Sequence, residues 1–118
     1  MELTNGHPDI WMLHLDVAEM RYTWLIHNAY SGANRDASAS AILKWRKNMN
    51  DVMIGGDCYQ LSETQWRIIL YSINYIHVLD HTGFVTHVFE VPNITKAQVY
   101  KEFIYVQHND NTLSRFII

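Results

Sequence analysis

Cysteine occurs once in this chain, at Cys58, so no intrachain disulfide framework holds it together. Proline occurs only at Pro8 and Pro92, both between patterned segments, and glycine only five times. No Pro/Gly-rich linker, internal repeat or low-complexity tract therefore divides the sequence. Long apolar runs are missing too: Asn, His, Asp or Arg interrupts each one well short of the roughly eighteen residues a spanning helix needs. No basic, apolar and small-residue succession of the signal-peptide kind opens the chain. These absences predict a single soluble, cytoplasmic globular domain over residues 1–118, with no membrane contact. The Asn93-Ile94-Thr95 sequon then reads as a chance match.

An excess of charge is lacking as well. Nine basic and twelve acidic residues leave a formal charge of −3, too weak for a nucleic-acid mimic and of the wrong sign for a general nucleic-acid binder. What the chain does have is hydrophobic side chains, 48% of its 118 residues, and four tryptophans, Trp11, Trp24, Trp45 and Trp66. A chain of this size buries roughly two-thirds of its unfolded surface around one core.

The patterning predicts a predominantly α-helical α+β domain of three to four helices, with a small antiparallel β element in the C-terminal half; an all-α bundle is the alternative. His7-Pro8-Asp9 opens a periodic segment from Ile10 to Tyr30 that ends at Ser31-Gly32. On a helical wheel it carries two apolar stripes, one with Trp11, Leu15 and Tyr22, the other with Leu13, Met20 and Trp24. Beyond a loop over 31–35, Asp36 caps a second helix whose stripe of Ile42, Trp45, Met49 and Val52 closes at Gly55-Gly56.

Ser62 and Gln65 form a capping box, with Leu61 and Trp66 as a hydrophobic staple, and start a third helix running toward Leu79 and Gly83. The β-branched residues of 68–78 and the Asp80-His81-Thr82-Gly83 sequence would also suit a hairpin, the alternative to the full helix. Phe84–Val91 reads as a strand stopped by Pro92, and Thr95–Tyr105 as a fourth helix. In the tail, 103–107 and 112–118 pair across His108-Asn109-Asp110-Asn111, or the fourth helix continues and leaves 113–118 to pack as an extended end.

No phosphate-cradling glycine motif, serine-nucleophile elbow or carboxylate pair is visible, so the sequence favours a non-catalytic role. A doubly apolar first helix needs two neighbours, and the second can be another chain. Trp11, Tyr22 and Trp24, with Arg21 as a charged contact, are the predicted anchors, since aromatic residues and arginine dominate interface energetics. The expected function is that of a protein-binding module occupying a partner's surface, in the manner of an inhibitor such as a phage anti-defence or toxin-immunity protein. A homo-oligomer is an allied reading, and no cofactor is expected.

The alternative is a small metal-dependent enzyme or metal-binding protein, with His77, His81 and His87 on a divalent ion such as zinc. His77 and His81 share a helix face, and a hairpin with a bulged turn would set His77 opposite His87. Cys58 after Gly55-Gly56-Asp57 suits a Cys/His hydrolytic arrangement only if a histidine reaches its sulfur. Arg35, Lys44, Arg46 and Lys47 read as a solvated basic face.

Overall fold

A computed structural model describes residues 1–5, 10–27 and 41–118. Among these the chain is all β, with eleven strands in three antiparallel sheets and no helix. The expected helices are thereby overturned. Sheet A has the order β1 (Glu2–Thr4), β2 (Trp11–Asp16), β3 (Arg21–His27) and β4 (Ala41–Asn48). Sheet B follows as β5 (Gly55–Gln60), β6 (Trp66–Tyr71), β7 (Tyr75–Asp80) and β8 (Val85–Glu90). Sheet C holds β9 (Ile94–Tyr100), β10 (Phe103–His108) and β11 (Leu113–Ile117), with β10 in the middle.

The first predicted helix is the β2–β3 hairpin. Its inward residues alternate as Trp11, Leu13, Leu15 and then Tyr22, Trp24, and they are all buried. One strand face thus mixes residues that a helical wheel assigns to two stripes. Its turn escapes notice because Met20, not glycine or asparagine, takes the left-handed conformation there (φ 50°). Lys101 (φ 54°) hides the β9–β10 turn in the same way and makes 95–105 resemble a helix. The predicted loop over 31–35 and the Asp36 cap lie outside the described residues.

Sheet B is the middle layer. Trp66, Ile68, Leu70 and Leu79 join Trp11, Leu13, Leu15, Tyr22, Trp24 and Trp45 in a core against sheet A. From its other face Ile69, Tyr71, Ile76 and Val78 join Ile94, Ala97, Val99, Ile104 and Val106 in a core against sheet C. Strands buried on both faces lose the period-2 signature, so WRIILY and YIHVLD read as one helical stretch. The Ser62–Gln65 contact exists, with Gln65 N–H donating to Ser62 Oγ at 3.2 Å, but it closes the β5–β6 connection instead of capping a helix.

Parts of the C-terminal reading match the structure. The hairpin alternative at 80–83 is present: Asp80 Oδ1 accepts from Thr82 N–H at 2.8 Å and from Phe84 N–H at 3.1 Å, while Gly83 takes φ 89° beneath the Trp45 ring. The strand expected over 84–91 is β8, and the tail hairpin is β10–β11. Among the described residues no helix is long and apolar enough to cross a membrane.

Candidate functional site

The residues expected to anchor a partner are structural. Trp11, Tyr22 and Trp24 are buried between sheets A and B, with Trp24 against Trp45 at 6.3 Å and Trp66 at 5.6 Å between ring centroids. Tyr22 is also a hydrogen-bond hub, since its hydroxyl donates to Asp51 O at 2.7 Å and accepts from Met53 N–H at 3.0 Å. Arg21 opens β3 on the opposite, outer face of sheet A, across from Asp16 and Asn48. The surplus apolar surface that pointed to an interface is the core itself.

The three histidines are dispersed. His77 points toward sheet A and lies 3.3 Å from Asp51 Oδ2 through Nε2. His81 sits in the β7–β8 turn. His87 is on the other face, opposite Val78, and stacks on Phe89. A bulge at Thr86 sets Val88, not His87, across from His77. Among the described residues no three His, Cys, Asp or Glu side chains are grouped to hold a metal.

The His77–Asp51 pair lines a cleft of about 430 Å³ between the end of β4 and strands β7 and β8, with Lys47, Asn50 and Tyr75 around it. Lys47 Nζ donates to Gly83 O at 3.1 Å. A histidine oriented by a carboxylate is half of a nucleophilic site, but among the described residues no hydroxyl or thiol is hydrogen-bonded to it. Cys58 is buried in the core against sheet A. Burial pushes its thiol pKa well up, and the Asp57 charge adds to this, so the reactive thiolate is suppressed.

The outer face of sheet C is different in kind. Strand alternation turns Ile104 and Val106 inward and sends Phe103, Tyr105 and Gln107 outward. The register places Tyr100, Phe103 and Ile117 in one row across the three strands. Gln98, Tyr105 and Arg115 form the next row, then Lys96, Gln107 and Leu113. Leu113 is 79% exposed, Ile117 67%, Tyr100 52% and Tyr105 42%, so four large side chains share one exposed face.

Two cations lie over this aromatic surface, Arg115 at 4.9 Å from the Phe103 centroid and Lys101 at 5.4 Å from that of Tyr100. The only acids between 94 and 118 are Glu102 and Asp110, both in the turns. Asp110 is held below the usual carboxylate range by the Thr112 hydroxyl and N–H, which keeps it charged and bound to its own turn. A basic, aromatic and aliphatic face therefore sits on a net acidic chain. The sequence signal for it was available: in FIYVQH both alternating phases begin apolar, so one of them has to face out if the strand lies in an outer layer.

No family model, curated protein or solved structure matches this chain.

Proposed function

We propose that this protein is a non-catalytic protein-binding module that acts by occupying a partner's surface, and that its contact surface is the outer face of sheet C. The observation that carries this is the grouping of Tyr100, Tyr105, Leu113 and Ile117 on one exposed sheet face beside Phe103 and Arg115. Tyrosine and arginine are enriched in interface hot spots, and exposed aliphatic side chains gain from a dry partner. A rigid sheet holds them in place before binding, which keeps the ordering cost low.

The basic side chains define the partner as acidic where it meets Lys96, Lys101 and Arg115. The aliphatic contribution of Leu113 and Ile117 favours protein over nucleic acid, whose single strands select aromatic platforms. An inhibitor or neutralising protein of the cytoplasm would act in this way, by steric occupation with no chemistry of its own.

The test is a Tyr105→Ser, Leu113→Ser, Ile117→Ser variant compared with wild type in affinity capture followed by quantitative binding to the captured protein. Truncating hot spots weakens binding by about 2 kcal/mol or more, so the variant loses the partner while its circular dichroism and melting stay close to wild type. Undiminished capture by the folded variant, or binding only to single-stranded nucleic acid, overturns the proposal.

A further inference from the structure

Among the described residues six strand edges bound the three sheets, and five of them are blunted. β1 is three residues long. β4 and β8 carry bulges, at Lys44 and Thr86, and β9 carries one at Thr95. The β9 edge is further occupied, because Val99 N–H donates to Asp57 Oδ2 of β5 at 3.0 Å, and this contact engages β5 as well. Bulges, shortness, covering contacts and edge charges are the usual protections against strand addition. β11 has only the last, Arg115 at its centre, which a partner carboxylate would offset: its five residues pair with β10 in unbroken register, and among the described residues no strand pairs with its other side.

The direction of its backbone groups follows from two hydrogen bonds. Ile118 N–H donates to Glu102 O, and His108 N–H to Thr112 O, so the hydrogen-bonded partners in this ladder are the even-numbered residues of β11. Ser114 and Phe116 are therefore satisfied by β10, whereas Leu113, Arg115 and Ile117 direct both N–H and C=O to the open edge. These same three residues carry the outward side chains of the proposed contact face.

We infer that β11 accepts an antiparallel strand from the partner, an extended acidic segment with a carboxylate opposite Arg115 and apolar residues opposite Leu113 and Ile117. This rests on sheet C being the contact face, and adds the mode of recognition. Charge selects the occupant. A second copy of β11 aligned antiparallel at the same centre would put Arg115 against Arg115, and like charges directly opposite are unfavourable. Shifting that pairing by two residues sets the guanidinium against Leu113 or Ile117. A strand with glutamate or aspartate at its centre meets all three positions, and main-chain bonds provide affinity while alternate side chains provide specificity.

The probe is a blocked peptide, Thr-Val-Thr-Glu-Thr-Val-Thr, titrated to millimolar concentration into the isotope-labelled full chain and followed by amide NMR. The inference requires shifts and slowed hydrogen exchange at the Leu113, Arg115 and Ile117 amides, with Ser114 and Phe116 already protected beforehand. Replacing the peptide glutamate with lysine weakens binding roughly tenfold, and Arg115→Glu restores the lysine peptide. Methylating the peptide nitrogens that face β11 abolishes the effect.

Absence of shifts at these amides, indifference to N-methylation, or changes that appear on concentrating the protein alone each overturn addition of a partner's strand. The last of these would assign the edge to a second copy. If the partner found in the capture experiment is lost from the triple serine variant but, on binding the wild-type chain, leaves hydrogen exchange at the Leu113, Arg115 and Ile117 amides unchanged, the contact face stands and the strand-pairing mode falls.

Discussion

A methyl group at Gly56 would lie 2.7 Å from Ile69 O and 2.8 Å from Leu13 Cδ1, between a backbone carbonyl of sheet B and a fully buried leucine of sheet A. Neither can retreat without disturbing a packed layer, so Gly56→Ala should destabilise the fold by about 1–3 kcal/mol in chemical denaturation. Tyr22→Phe removes only an oxygen, yet leaves the buried Met53 N–H without its acceptor, and should cost about 1–3 kcal/mol in the same assay. Asp57 titrates in the opposite sense to most structural carboxylates. Burial raises its pKa above 3.8, although the Val99 N–H and the Lys96 charge oppose the shift. The folded state therefore holds this proton more tightly than the unfolded chain, and the stability associated with it declines as pH climbs from about 3.8 through the raised value. Asp57→Asn retains an acceptor for Val99 and should flatten that part of the pH–stability curve, measured by denaturant midpoints across the acid range.

The turns show how elements can be set by residues that do not advertise them. Met20 closes the β2–β3 hairpin at positive φ, a conformation that costs a side-chain-bearing residue roughly 1–2 kcal/mol and that asparagine tolerates better. Met20→Asn should accordingly raise the melting temperature, and a fall would mean that the methionine side chain contributes packing larger than the strain. With Met20 and Lys101 in these turns, hairpins spanning 11–27 and 94–108 lacked the punctuation that marked Asp80-His81-Thr82-Gly83 and His108-Asn109-Asp110-Asn111. The latter two were legible because Asp, Asn and Gly supply turn geometry directly. The helical pattern of 66–79 had another origin, burial on both faces of β6 and β7. Of the candidate site, Tyr100 and Phe103 were hidden inside a segment read as helix, whereas Arg115 lay in the tail read as a hairpin strand or an extended end. Trp11, Tyr22 and Trp24 attracted attention because large aromatic residues serve cores and interfaces alike.

At the scale of the whole molecule, β6 belongs to two cores at once. Leu70 is fully buried against sheet A, and its neighbour Ile69 is fully buried against sheet C. Leu70→Ala and Ile69→Ala should each lower stability by about 2–5 kcal/mol, and both should shift one common unfolding transition followed by tryptophan fluorescence and by tyrosine absorbance. Separate transitions for the two probes would show the layers to be energetically independent.

The layered order also bears on birth from the ribosome. Every sheet is built from strands that follow one another along the chain, so each can zip up locally as it emerges, N-terminal sheet first. Sheet A is complete by Asn48, but the surface holding Trp11, Trp24 and Trp45 has no cover until β6 and β7 have been synthesised. For that interval the nascent chain leaves this apolar surface open, and the length of the interval is set by the time taken to translate the second sheet.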